Sequence, residues 1–160
     1  MRREQAEEFW DHRHDIALMY SRRVKEMSSR VEPRTKYDYI HVSLAASKIL
    51  DFRKETLRLA KNGDVRVQEV GLWQGPELFS LVLSSKAVDA KLAARNLWRV
   101  SDAIIRHAQD LGGCMEFCHG VGLKLAHLME REHGLGLEIM RRLKETVDPL
   151  GIMNPGKAAL

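Results

Sequence analysis

Tyr37-Asp-Tyr-Ile-His-Val-Ser-Leu44 is the stretch on which the fold turns. Ile40, Val42 and Leu44 fall on one side of an extended chain, and Tyr39, His41 and Ser43 on the other. A period of two is the mark of a strand with one buried face. Downstream, Ser47 suits the N-cap of a helix running through Lys61, with Ile49, Phe52, Thr56 and Leu59 on one side and Asn62-Gly63 at its end. Val65 to Trp73 and Glu77 to Ser84 read as two strands joined by a short turn containing Gly75-Pro76. A long helix follows over 87–110, where Ala93, Leu97, Val100, Ile104 and Ala108 recur at spacings of three and four. Cys114 to Phe117 reads as a final strand. The order strand, helix, strand, strand, helix, strand predicts an α+β fold: a ferredoxin-like antiparallel sheet with helices on one face.

On either side of this unit the pattern is helical. Residues 4–28 read as a helix in which Phe9, Ile16 and Met19 share a face, broken at Val31-Glu-Pro33. Two C-terminal helices are expected at 121–132 and 135–147. The tail Asp148-Pro-Leu-Gly-Ile-Met-Asn-Pro-Gly-Lys157 is too rich in Pro and Gly to be regular. Without repeats or low-complexity segments, residues 1–160 read as a single domain, long enough to bury a core without disulfides or metal.

Composition narrows the function classes. Lys and Arg number 26 against 22 Asp and Glu, and the formal charge of +4 is spread along the chain. This is a solvated surface with no nucleic-acid footprint. Two cysteines four apart, Cys114 and Cys118, are too few for a secreted disulfide scaffold or a four-ligand zinc site. The expected compartment is cytoplasmic, since no window has the ~18 apolar residues of a membrane helix and no apolar stretch follows the charged N-terminus.

Three segments carry candidate chemistry. His119-Gly-Val-Gly122 follows an expected strand and precedes an expected helix, where glycines admit a ligand close to the backbone and a helix N-terminus offers free N–H groups. The plain reading of such a turn is a structural corner. Asn154-Pro-Gly-Lys157 carries an amide and an ammonium suited to a polar cofactor edge, though an ordinary frayed tail has the same composition. Trp10-Asp-His-Arg13 and Lys36-Tyr-Asp38 bring two cations near aromatics, able to clamp a carboxylate or simply to face solvent. His12, His14, His107, His127 and His133 have no metal spacing.

Together these segments resemble the C-terminal, substrate-capping domain of the FAD-linked oxidases in the vanillyl-alcohol oxidase superfamily. That group includes the glycolate oxidase flavin subunit, D-lactate dehydrogenase and alkyl-dihydroxyacetonephosphate synthase. The similarity runs from Trp10 to Lys157, and Met140-Arg-Arg-Leu-Lys144 with Asp148 through Lys157 resembles the family's closing signature. The resemblance implies a catalytic role for His119 beside flavin and substrate. It implies flavin contacts from Gly120, Gly122, Asn154 and Lys157. Arg13 and Lys36 become the substrate-carboxylate ligands. The substrate is then a small hydroxylated molecule, such as a 2-hydroxy acid.

Two departures shape the expectation. The metal-binding members use two hairpin histidines and a Glu before the His-Gly. Here Leu72, Phe79 and Cys118 stand in those places, so no metal is expected. The N-terminal FAD-binding domain of the family has no counterpart in the sequence. The chain is then expected to be a fragment or a separate subunit, inactive alone, that meets FAD only with an FAD-binding domain or subunit. The alternative is a non-catalytic partner or assembly subunit docking on a separate FAD-binding chain. A homodimer is the simplest way to cover the uncovered flavin-facing side.

Overall fold

The computed structural model describes residues 35–72 and 75–160 and, before them, only Glu7, Glu8, Asp15, Leu18 and Arg22, each helical. The expected helix over 4–28, its break at Pro33 and the candidate Arg13 otherwise lie outside the described residues.

β1 is Thr35–Ser43, α1 Ile49–Asn62, β2 Arg66–Leu72, β3 Leu78–Lys86, α2 Ala90–Asp110 and β4 Cys114–Met115. The sheet has the strand order β2-β3-β1-β4 with every pairing antiparallel. This is the ferredoxin-like arrangement expected from the sequence. After β4 come α3 (Met129–His133) and α4 (Leu135–Val147), the C-terminal helices.

The alternation in β1 sets the layers. Ile40 pairs with Leu81 and Val42 with Phe79, and all four are buried. Phe52 of α1 meets Phe79 edge-on, with ring centroids 5.5 Å apart. Each α2 residue of the three-four spacing, Ala93, Leu97, Val100, Ile104 and Ala108, is buried. Burying a side chain of leucine or phenylalanine size contributes about 1.5–3 kcal/mol, so this one face supplies most of the driving force. The helix side also carries a polar contact: Ser101 Oγ donates to Asp38 Oδ2 at 2.5 Å.

Element ends depart from the sequence reading where local hydrogen bonds decide them. Ser47 is not the N-cap of α1. It sits inside a 3₁₀ turn, Ala46–Lys48, that Lys48 N–H closes on Ala45 O at 2.8 Å. The helix therefore starts at Ile49, without a side-chain cap. Lys48 instead sends its ammonium to Leu111 O, at the C-terminal end of α2, where a cation suits the helix dipole. α2 begins at Ala90 and not at residue 87, because Asp89 is extended and its carboxylate accepts Leu92 N–H at 2.8 Å.

The largest correction concerns residues 121–132. The segment is not one helix: turns carry it to a 3₁₀ stretch at Ala126–Leu128, and only Met129–His133 is α-helical. Gly120 and Gly122 have φ of +74° and +52°. Lys124 turns back so that its ammonium reaches Asp38 Oδ1 and Tyr39 O on β1. No helix N-terminus therefore stands behind the His-Gly-Val-Gly turn.

Candidate functional site

The site is built where β4 closes on β1. Gly113 permits the approach. A Cβ there would lie 2.3 Å from Leu44 Cδ2 and 2.6 Å from Ser43 O. Met115 pairs with Val42, and its N–H is held by Glu132 Oε1 of α3 at 3.0 Å. The other oxygen of Glu132 accepts from Gln109 at 2.6 Å, which ties α2, α3 and β4 together. The pairing continues one residue past β4, as Glu116 N–H donates to His41 O at 2.7 Å. The expected strand to Phe117 stops here because Glu116 takes φ +53° and turns the chain across the sheet.

That turn covers His41. In the strand pattern His41 belongs to the side away from the helices. Tyr37 and Tyr39 of that side are exposed, yet His41 is only 8% exposed. Phe117 stands edge-on to its ring at 5.5 Å and His119 at 4.6 Å. Glu116 is held beneath them. Its Oε1 accepts the backbone N–H groups of His119 at 2.8 Å and Cys118 at 3.1 Å. The same oxygen lies 3.5 Å from His41 Nδ1 and 3.6 Å from His119 Nδ1. The His119 side chain is 64% exposed, and its Nε2 is 3.7 Å from Cys118 Sγ. Cys118 and Cys114 are both unbridged. Partial burial, then the neighbouring Glu132 carboxylate, pushes the Cys114 thiol above its ordinary range.

The tail comes to the same place. Ala158 N–H donates to Gly122 O at 3.0 Å, and Gly156 packs toward Leu123. Asp148 organises the approach. Its buried carboxylate accepts N–H from Met153 at 2.8 Å and Ile152 at 3.0 Å, and it pairs with the Lys144 ammonium, which also bonds Met153 O. Lys144 chiefly, then those two N–H groups, hold the Asp148 carboxyl below its usual value against the effect of burial. The Pro- and Gly-rich ending is thus irregular and ordered.

The two flavin-contact candidates are therefore brought together: His119, Gly120 and Gly122 in one turn, and Asn154 and Lys157 in the tail docked on it. A Cβ built on Gly120 or Gly122 would meet nothing within 4 Å, so the backbone there is bare toward open space. Lys36 is elsewhere. It lies five residues before His41 on β1, about 17 Å along a strand, and the pleat gives it the parity of Asp38 on the helix side. A concavity of about 930 Å³ lies toward that other end of the sheet, lined by Thr35, Lys61, Arg66 and Lys86 among others, with none of the described candidate site residues among them. The hairpin positions Leu72 and Phe79 are cross-strand partners, the second buried in the core.

Sequence reasoning missed His41, Glu116 and Asp148. The strand period assigned His41 to an outward face, and nothing in the period shows that residues 116–119 return to cover it.

Compared with known proteins, residues 1–158 match the model of the FAD linked oxidases, C-terminal domain. The chain belongs to this family. Relatives include an uncharacterised FAD-linked oxidoreductase of Mycobacterium tuberculosis, 44% identical over 50 residues, which are 31% of this chain and 11% of that protein. The mitochondrial cytochrome-type D-lactate dehydrogenase of Arabidopsis thaliana is 38% identical over 64 residues, 39% of this chain and 11% of that protein. A D-lactate dehydrogenase of Anaerostipes hadrus is 28% identical over 121 residues, 75% of this chain and 25% of that protein. The chain matches a quarter or less of the length of these relatives. No helix among the described residues is long and apolar enough to cross a membrane.

Proposed function

We propose that this chain is the substrate-capping, flavin-contacting part of an FAD-dependent oxidoreductase acting on a small hydroxylated substrate, a 2-hydroxy acid being the class suggested by the D-lactate dehydrogenase relatives. The observation that carries the reading is the docking of the family's C-terminal tail on the His119 turn through Ala158 and Gly122. The residues present fit one side of a flavin. Gly120 and Gly122 offer bare backbone, Asn154 an amide and Lys157 a cation, all exposed. They do not enclose a dinucleotide, whose phosphates need further loops, so an FAD-binding domain or subunit is the expected partner. When bound, the flavin supplies the two-electron redox chemistry.

The chain's own residues then hold and orient. His119 is the candidate to take the substrate's hydroxyl proton at its exposed ring, as a general base. Lys157 offers a positive charge to an anionic edge. Asp148 and Lys144 hold the start of the tail that docks on the turn at Gly122 and carries Asn154 and Lys157. The substrate-carboxylate role proposed for Lys36 is separable from this cluster, since Lys36 stands toward the other end of β1.

A two-dimensional amide spectrum of the isotope-labelled chain, titrated with FMN, tests the reading. Weak binding with shifts concentrated at residues 119–123 and 154–158 is the expected result. Shifts confined to the concavity around Lys61 and Arg66 would refute it. The second reading, a non-catalytic docking subunit, draws support from α4, where Leu135, Ile139, Leu143 and Val147 form an exposed apolar stripe at intervals of four residues. It predicts tight association with an FAD-loaded chain whose turnover is unchanged by His119→Gln.

A further inference from the structure

We propose that His41, Glu116 and His119 form a binding site for a divalent transition-metal ion of the zinc class. One ligand atom from each lies within 4.8 Å of the others. The geometry distinguishes a metal site from a simple ion pair. A charge-assisted N–H···O bond closes to roughly 2.7–2.9 Å. Here two imidazole nitrogens stand off the same carboxylate oxygen at 3.5 and 3.6 Å. Ligand bonds of ~2.0–2.1 Å at tetrahedral angles put neighbouring ligand atoms about 3.3–3.4 Å apart. The observed separations approximate the edges of such a tetrahedron, and both meet at Glu116.

A second, independent observation points the same way. His41 Nδ1 is buried with no hydrogen-bond partner, and the residue is more than nine-tenths buried. Leaving such a nitrogen unsatisfied costs about 1–3 kcal/mol, and a cation removes that cost. Ser80, directly across the β1–β3 ladder and therefore on the same face, is also buried with an unpartnered Oγ. The fold thus keeps two orphaned polar atoms, His41 Nδ1 and Ser80 Oγ, on paired residues of β1 and β3.

The donor set selects the ion. Two imidazoles and one carboxylate suit zinc-class ions, and the all-oxygen cages of calcium and magnesium are excluded. Glu116 is pre-oriented by the N–H groups of Cys118 and His119, the kind of outer contact that fixes a metal ligand. His119 is solvent-facing, so a fourth position opens outward, as in catalytic zinc sites. With its Nδ1 on the ion, the neutral His119 ring carries its proton on Nε2 and can only donate there, so the proton-accepting role proposed above belongs to the ion-free chain. The site is distinct from the hairpin at Leu72 and Phe79, which has no ligand atoms. It shares His119 with the flavin-facing surface and does not rest on that reading.

The test uses the full chain without a histidine tag and without flavin. After dialysis against metal-free buffer it is titrated with Zn²⁺ by calorimetry and with Co²⁺ by visible absorption. One ion per chain, with the ligand-field bands of four- or five-coordinate Co²⁺, is expected. His119→Gln changes an exposed side chain and leaves the fold intact. It and Glu116→Gln should each weaken binding by at least about tenfold. Failure of the parent chain to bind either ion saturably, or unchanged affinity in both variants, would overturn the site.

Discussion

His41 and His119 stand ring to ring, centroids 4.6 Å apart and planes at 67°, one buried in the sheet and the other open to solvent. The pair joins the central strand to the turn that the family's tail docks on, so the inner residue fixes the position of the outer one. Changing His41 to Leu keeps the volume near that of the ring and removes the contact. The expected result is a folded chain in which the amide signals of residues 117–122 broaden or move, while those of α2 do not. An unchanged 117–122 region would show that the turn holds its shape by itself.

The core under the helices carries most of the stability. Phe52 is fully buried against Phe79, so Phe52→Ala should cost about 3–5 kcal/mol through lost contact and the cavity left behind. Urea unfolding measures it. A loss under about 1 kcal/mol would mean that α1 is not seated on the sheet as described.

Gly122 sits at φ +52° with open space in front of it. Alanine there meets no neighbour but is strained by the backbone, at roughly 1–2 kcal/mol. Gly122→Ala should therefore lower the melting temperature and speed hydrogen exchange at the Ala158 amide, which bonds Gly122 O. Unaltered protection of Ala158 would separate the tail from the turn.

Asp148 gives the chain an acid-sensitive fastening. Its folded carboxyl is held low, first by Lys144 and then by the Met153 and Ile152 N–H groups. A group with a depressed folded value stabilises the fold above its unfolded value, near ~4, and that contribution is lost as pH falls through the lower folded value. Between those limits the parent chain should lose stability with acid more steeply than Asp148→Asn. Parallel pH profiles for the two would contradict the assignment.

Self-association should run through the flavin-facing side, where Leu123, Ile152 and Met153 are exposed around the docked tail. Light scattering at tens of micromolar is expected to give more than the monomer mass, and Ile152→Asp with Met153→Asp to restore it. A strict monomer, or an assembly disrupted only by changes at Arg95 and Arg99 on α2, would place the contact elsewhere.

The strand alternation of β1, the three-four spacing of α2 and the order of elements were legible in the residues alone. A sheet or helix that buries one face must repeat its apolar residues with its own period, so Ile40, Val42, Leu97 and Ile104 announce both element and core. Asn154-Pro-Gly-Lys157 and His119-Gly-Val-Gly122 were likewise recognisable as segments. Their meeting through Ala158 and Gly122 was not, because Asp148 directs it by hydrogen bonds to a loop with no period. Element ends were misjudged where one bond decides them, as at Ser47 and at residue 121. His41 shows the limit most clearly. By local pattern it belongs to an outward face. It is buried because β4 pairs beside β1 and Glu116, seventy-five residues away, turns the chain back over it. Periodicity records which face of an element is covered by the core. Which loop returns to cover a single residue on the other face is a long-range contact, and only the tertiary structure decides it.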